Sequence, residues 1–286
     1  MRRVSMKADL HIHSWWSDGG LSPAQLVERA RSLGVTHMAI TDHDSLRGSE
    51  ELPALCPDIR TLRAAELSMA DRYGLHLLIY GLTPARTLTR RVEELAEKRE
   101  RRLEQMLARL ETMGMRLTAG QVKEDSHGTV GRPHLAKALL DAGYVSSLQE
   151  AYDRLIGENG PAYVEGEKLT MAEALKLVNE AGWVPVLAHP RNLHLADEVL
   201  EAMLDVWQMQ GLRGIEVYHP SARLSGYETL ERMARRRGLL VTGGSDFHRD
   251  NDRGHGTIGC TARAWHSAKE DIQALWRAVE QGIETA

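Results

Sequence analysis

Short apolar runs alternate with helical patterns along most of the chain. "ADLHIH" reads as a strand, and its two histidines, His11 and His13, share one face because strand side chains alternate. The next segment, "SPAQLVERARSLG", places Ser22 as a helix cap, Pro23 at the first helical position and Gly34 at the close. "THMAITDHD", "IRTLRAAELS" and "LHLLIYGL" continue the strand series. "WVPVLAHP", "GIEVYHP" and "LLVTGGSDFH" complete it, each preceded by a helical stretch: "MAEALKLVNEAG", "ADEVLEAMLDVWQMQG" and "YETLERMARRRG". This alternation predicts an α/β fold with a mainly parallel sheet. Seven strand candidates in 286 residues favour a barrel, whose site lies where strands end and loops begin.

The middle breaks the pattern. Residues 83–167 are mostly helical: "TLTRRVEELAEKRERRLEQMLARLETMG", "RPHLAKALLDAGYV" and "LQEAYDRLIG". They predict a helical insertion covering the active site, between barrel segments 1–82 and 168–286. The first of these helices carries Arg86, Arg90, Arg91, Arg99, Arg101, Arg102 and Arg109 beside five glutamates from Glu93 to Glu104. Two readings stand: a solvated helix laced with i,i+4 ion pairs, or a wall that receives a polyanion.

Composition narrows the class. Hydrophobic residues make up 42% and charged residues 27%, ordinary for a globular protein. The net charge of −4 supplies no global field for long nucleic acid. Cys56 and Cys260 are far apart and form no CxxC pair, which points to a reducing, cytoplasmic compartment without disulfides. The first residues carry no apolar core of a signal peptide, and no apolar run is long enough for a membrane span.

The candidate chemistry collects at strand ends: His11, His13, Asp18, His43, Glu66, His76, His189, Asp246 and His248. Taken singly, His76 reads as a core histidine and His43 as a turn residue. As a set of nitrogen and oxygen donors without sulfur they suit two or three divalent ions, with Mn²⁺ the leading candidate and Zn²⁺ or Fe²⁺ using the same ligands. Three such ions, set against three carboxylates and a hydroxide, leave a surplus of about two positive charges, which matches a phosphate monoester dianion. Water acidified by the ions would attack phosphorus in line.

The ordered motifs "DLHIHSWWSDG", "TDHD", "AELS", "AHP" and "GGSDFH" resemble those of the PHP (polymerase and histidinol phosphatase) family. Within it, the insertion, "GRPHLAKAL" and "GIEVYHPSA" are most similar to the TrpH-like subgroup. The resemblance implies a distorted seven-stranded β/α barrel with up to three divalent ions. It implies one ion on His11, His13, Glu66 and Asp246, with Glu66 bridging to a second on His76 and His189. A third would sit on Asp18, His43 and His248. It also implies 3′,5′-nucleotide bisphosphate phosphatase and 5′→3′ oligoribonucleotide exonuclease activity. Where the family has "HPG", this chain reads "HPRN", which puts Arg191 near the site.

Further candidates follow from this chemistry. His219 in "EVYHP" is either the acid for the leaving group, a substrate contact, or a turn histidine before Pro220. Arg132 and His134 in "GRPHLA" stand at a predicted helix start, where an anion is favoured, and Arg191 is a further phosphate clamp. His255 lies among glycines and reads as a turn residue; His37, His127, His194 and His266 have no motif. The expected substrate is a small nucleotide or short single-stranded RNA, with no membrane association and no stable binding of duplex DNA. Histidinol phosphatase is the alternative enzyme, and a non-catalytic metal-binding module the alternative class.

Overall fold

The computed structural model describes residues 6–71, 73–124, 127–222, 224–250, 255–259 and 269–285; Cys260 and His266 lie outside them. Three short strands, β1 (Ala8–Asp9), β2 (His37–Met38) and β3 (Arg60–Thr61), form a parallel sheet in that order. Five more, β4 (Arg63–Ser68), β5 (His76–Gly81), β6 (Val184–Leu187), β7 (Gly214–Tyr218) and β8 (Leu240–Gly243), form a second sheet in chain order. The run expected as one third strand therefore divides at Leu62 and serves both sheets.

The pairings of the two sheets are mainly parallel, as expected, but the second sheet is mixed. β5 is antiparallel to both β4 and β6, while β6, β7 and β8 run parallel. The reason is connection length. Only residues 69–75 join β4 to β5, which is too short for the crossover that a parallel pair needs. This reversal has a functional consequence. It places the first residue of β5, His76, opposite Ser68 at the last position of β4. An amino-terminal strand residue thus joins the edge where the other strands end.

Helices α1 (Pro23–Ser32), α2 (Arg47–Leu55), α7 (Met171–Glu180), α8 (Asp197–Met209), α9 (Leu224–Arg236) and α10 (Lys269–Thr285) accompany the strands. Ser22 caps α1 and Thr170 caps α7, each in a reciprocal capping box. The main apolar core takes its residues from β4–β8 and from α7 and α10, including Leu67, Ile79, Val186 and Trp276. A second cluster, around Ile12, Leu26, Met38, Leu52 and Phe247, packs α1 and α2 beneath the first strands.

Between β5 and β6 lie α3 (Arg86–Thr112), α4 (Ala119–Val122), α5 (Arg132–Asp141) and α6 (Leu148–Ala151), followed by a π-turn at Tyr152–Ile156. The long α3 joins two regions. Leu88, Val92 and Leu95 of its first half belong to the main core. Leu103, Met106 and Leu110 of its second half pack with Leu135, Leu139 and Ile156 in a separate cluster. The chain then crosses the loop that follows β1: His127 and Thr129 donate backbone hydrogen bonds to the carbonyls of Trp15 and Trp16, each at 2.9 Å. Beyond these contacts the Thr129 hydroxyl donates to the His43 carbonyl at 2.6 Å.

Candidate metal centre

Strand ends converge on one buried group of imidazoles and carboxylates. His11 and His13 follow β1 and point the same way, as alternation predicts; their Nε2 atoms stand 3.1 Å apart. Glu66 Oε2 lies 3.2 Å from each of these nitrogens. Asp246 Oδ1 lies 3.3 Å from His11 Nε2 and 3.1 Å from His13 Nε2. Ligand atoms about 2.1 Å from one ion are separated by roughly 3.0 Å in an octahedron and 3.4 Å in a tetrahedron. The observed spacing falls between these values, so the four side chains fit an ion.

Glu66 faces two ways. Its Oε1 is 2.8 Å from both His76 Nδ1 and His189 Nε2. His43 Nδ1 approaches Oε2 at 3.2 Å. A third group gathers around Asp18, with His248 Nε2 at 3.3 Å from Oδ1, His13 Nδ1 at 3.6 Å from Oδ1 and His43 Nε2 at 3.7 Å from Oδ2. The structure therefore brings all nine candidate ligands of the sequence into one connected cluster, His189 joining it through Glu66. His13 lies between the first group and the third, with one ring nitrogen toward each.

Buried polar atoms test whether metal suits this cluster. Asp18 Oδ1, His43 Nδ1 and His189 Nδ1 are buried without a hydrogen-bond partner. Unpartnered polar atoms are costly in a protein interior unless another electrophile takes them. Burial pushes the Glu66 carboxyl up, but His43, His76 and His11 outweigh it and hold it well below the usual range. Asp246 is likewise held low against burial, by His11, His13, His219 and His255. Burial lowers His13, yet Asp246, Glu66 and Asp18 raise it to about 10. His43 is pushed down to about 3, by burial first, against the pull of Glu66 and Asp18. These buried carboxylates require positive charge, which divalent cations would supply.

Contacts behind the candidate ligands fix the rings, and sequence reasoning missed most of them. Glu216, fully buried in β7, takes His11 Nδ1 at 3.0 Å and the His189 backbone N–H at 2.8 Å. With its proton held at Nδ1, His11 turns a bare Nε2 to the centre. His248 Nδ1 similarly meets the Asp246 carbonyl at 2.8 Å, which leaves Nε2 for Asp18. Asp9 accepts from the backbone N–H of Ser245 at 2.9 Å and Gly259 at 2.7 Å, and so holds the loop that carries Asp246. Burial raises the Asp9 carboxyl to about 6. The available signal was an acid inside an apolar strand, in "GIEVY" and "ADLHIH", where a charge is unusual unless paired. Gly244 lets this loop approach closely, since a Cβ there would meet His11 Cβ at 2.2 Å. Asp246 at φ 52° and His189 at φ 26° occupy the left-handed region, a strain of about 1–3 kcal/mol each, concentrated at the site.

Three further candidates have defined partners. His219 is buried. Its Nδ1 accepts the Ser221 backbone N–H at 3.1 Å, so Nε2 carries the proton and donates to Asp246 Oδ2 at 3.0 Å. It orients Asp246. Arg191 is not a free clamp: Nη1 pairs with Asp197 at 2.6 Å, and Nε is buried without a partner. His255, set aside as a turn residue, reaches Asp246 Oδ2 at 3.1 Å and stands edge-on to the His248 ring at 4.2 Å.

Arg132 does begin α5, and His134 Nδ1 accepts the Gly131 N–H at 3.1 Å to cap it. Burial lowers His134, with Asp18 opposing and Arg249 reinforcing that shift. His127 packs on Trp15 at 4.3 Å, and His37 meets Trp276 edge-on at 4.8 Å, both away from the ligand set. The arginines of α3 divide by face. Arg90, Arg91 and Arg101 form ion pairs with Glu94 and Glu97 along the helix, whereas Arg99 turns inward to Asp44 and Ser68.

Comparison with known proteins follows this geometry. The PHP domain model matches residues 9–181. The chain is 30% identical to the 3′,5′-nucleoside bisphosphate phosphatase of Chromobacterium violaceum, over 96% of this chain and 97% of that protein. It is 28% identical to the 5′-3′ exoribonuclease Rnm of Escherichia coli strain K12, over 97% and 95%. A crystal structure of a putative metal-dependent phosphoesterase from Bifidobacterium adolescentis superposes with a TM-score of 0.81 at 28% identity, covering 96% of each chain. Among the described residues no helix is long and apolar enough to cross a membrane.

Proposed function

The chain belongs to the PHP domain family, and from that premise we propose that it hydrolyses the 3′-phosphate of 3′,5′-nucleotide bisphosphates and 5′ ends of short RNA. The observation that carries the reading is the shared Glu66 carboxylate. One oxygen faces His11 and His13 and the other faces His76 and His189, the arrangement of a bridging ligand. The relatives named as a bisphosphate phosphatase and an exoribonuclease, similar over nearly their whole length, support the reaction class.

His11, His13, Glu66 and Asp246 would hold one ion, Glu66, His76 and His189 a second, and Asp18, His43 and His248 a third. Mixed nitrogen and oxygen donors without thiolate admit Mn²⁺, the leading candidate, and Zn²⁺ or Fe²⁺ on the same ligands. When bound, such ions acidify water and polarise phosphoryl oxygens. The protein does the rest. Glu216 and the Asp246 carbonyl keep the His11 and His248 protons on Nδ1. His219 donates to Asp246 and leaves its other oxygen toward His11 and His13. Asp246 is the catalytic carboxylate of this scheme. Arg132, assisted by His134 at the start of α5, grips substrate phosphate where helix dipole and charge agree.

Residues 83–167 act as a roof over the centre, supported by the Thr129 contact with His43 and by the separate apolar cluster of the insertion. The two sheets read as one distorted barrel, supported by the bridges Ile12–Phe247 and His43–Glu66 that link them. The cytoplasm suits an enzyme with a buried free Cys56.

A phosphate-release screen on Mn²⁺-loaded protein tests the reading. 3′,5′-Bisphosphates and short 5′-phosphorylated RNA are expected to be cleaved, and blunt duplex DNA, at equal end concentration, is not. Histidinol phosphate as the sole good substrate overturns the nucleotide assignment. Duplex cleaved as fast as the bisphosphate overturns the roof.

A further inference from the structure

Of the three ligand groups, the third has the least support behind its carboxylate. His11 rests on Glu216, and Asp246 rests on His219 and His255. Asp18 belongs to no strand, and its Oδ1 is buried without a hydrogen-bond partner. Its distances to His248, His13 and His43 run to 3.7 Å, where those of Glu66 and Asp246 to the first pair of imidazoles stop at 3.3 Å. The backbone of residues 14–20 therefore decides where Asp18 stands.

That backbone is a tight turn. The Ser14 carbonyl accepts the N–H groups of Ser17 at 3.1 Å and Gly19 at 3.0 Å, and Ser14 Oγ accepts the Trp16 N–H at 3.2 Å. A Cβ at Gly19 would meet the His13 carbonyl oxygen at 2.2 Å, so the turn folds back onto the segment that carries His13. The Gly20 N–H donates to the His248 carbonyl at 2.9 Å, which ties the turn to a second ligand of the group.

One buried side chain holds this turn from behind. Asp42 is fully buried and immediately precedes the ligand His43. Its Oδ1 accepts the Ser14 N–H at 2.7 Å and the Ser17 hydroxyl at 2.8 Å, and its Oδ2 accepts the Ser14 hydroxyl at 2.7 Å. Hydrogen bonds to a carboxylate are roughly twice as strong as neutral ones, so three of them fix the turn firmly. A Cβ at Gly48, the second residue of α2, would meet Oδ2 at 2.1 Å; the positive end of that helix lies against the carboxylate. Burial pushes the Asp42 carboxyl up, and Ser14, His13 and Ser17 oppose it. Asp42 also reaches Glu66, but through its backbone: its carbonyl accepts the Glu66 N–H at 3.2 Å. A change of side chain leaves that bond in place.

We propose that Asp42 is the positioning residue of the third ion site: by latching residues 14–20 it sets Asp18 against His43 and His248, and the third ion depends on this latch while the other two do not. The inference rests on the metal-centre reading and adds to it a carboxylate that is not itself a ligand. Its physical basis is the difference in support. The first two groups are built on strand ends and on Glu66, whereas the third hangs on a turn whose shape is set by one side chain.

Equilibrium dialysis of the metal-free protein against Mn²⁺ tests this without turnover. The wild type is expected to take three ions. In Asp42→Ala the third should bind at least about tenfold more weakly, the scale of lost support behind a ligand, while the other two stay within about twofold. Asp18→Asn should weaken the same ion, and the double variant D18N/D42A should lose no further one. Asp42→Asn keeps an acceptor for the Ser14 N–H and the Ser17 hydroxyl and turns an N–H to Ser14 Oγ, so it should recover most of the affinity. If Asp42→Ala fails to fold by circular dichroism, Ser14→Ala, which removes one bond to the latch, should show a smaller loss of the same ion. Unchanged affinity for the third ion in the folded variants overturns the latch. So do an equal loss of all three ions, an Asp42→Asn no better than Asp42→Ala, and a wild type that takes only two. A wild type that binds no Mn²⁺ overturns the metal-centre reading instead.

Discussion

The strand-end cluster and the basic cluster of the insertion treat buried charge in opposite ways. Around Glu66 and Asp246, each carboxylate meets several imidazoles, and Glu216 and Asp9 hold the rings and loops from behind. Around Arg132, cations stand beside cations, with tyrosine rings and backbone carbonyls between them. The first region can balance its own charge with protons or metal ions. Among the described residues, the second has one ion pair to a carboxylate, Arg99 with Asp44. The contrast predicts that damage to each region has a different signature.

The largest effect should come from Asp246→Asn. It removes one charge and a ligand shared among His11, His13 and His219, so hydrolysis should fall at least about a hundredfold. The fold should persist by circular dichroism. Near-normal turnover in Mn²⁺-replete buffer would remove Asp246 from the centre.

Glu216→Gln should come next, with about ten- to a hundredfold weaker metal binding. An amide keeps one acceptor oxygen for two donors, the His11 Nδ1–H and the His189 N–H, so its NH2 opposes one of them. Equilibrium dialysis with Mn²⁺ measures this without turnover, and unchanged affinity would reduce Glu216 to a core residue.

Arg132→Ala should show the other signature. KM for an anionic substrate should rise about tenfold, the scale of one charged contact, while kcat changes less. Metal content should stay at the wild-type level. A fall in bound metal would break the division between the two regions.

The smallest effect concerns His37, outside both clusters. Burial, with Arg60 adding, lowers its pKa to about 4, below the ordinary 6.5. Between these values the unfolded chain binds a proton that the folded chain does not, so acidification through this window favours unfolding. His37→Gln should flatten the fall of Tm between pH 6.5 and 4 by a small margin, seen in thermal melts of the metal-free protein. An identical slope in wild type and variant would assign that fall to other groups.

Local pattern explains how much of this was readable. The His11–His13 pair, the "TDHD" and "GGSDFH" ends and the capped α1 follow from strand alternation and cap chemistry within a few residues. The orientation of β5 was less visible, because periodicity reports that a strand exists and not which way its neighbours run. The inward turn of Arg99 was hidden in a helix whose other arginines do pair with glutamates.

The candidate ligand set was legible in the chain alone, because most of these donors stand in or just after short apolar runs, which short-range signals mark. Tertiary structure decided what surrounds those donors. His11 meets Glu216 across 205 positions of sequence, and Asp9 meets Gly259 across 250. It also decided that His219 and His255 back Asp246, that Arg191 pairs with Asp197, and that Arg102 and Arg132 share the Tyr163 ring. A side chain's charge is written in the chain, but its partner depends on which distant segments the core brings against it, and burial then sets the strength of each pairing.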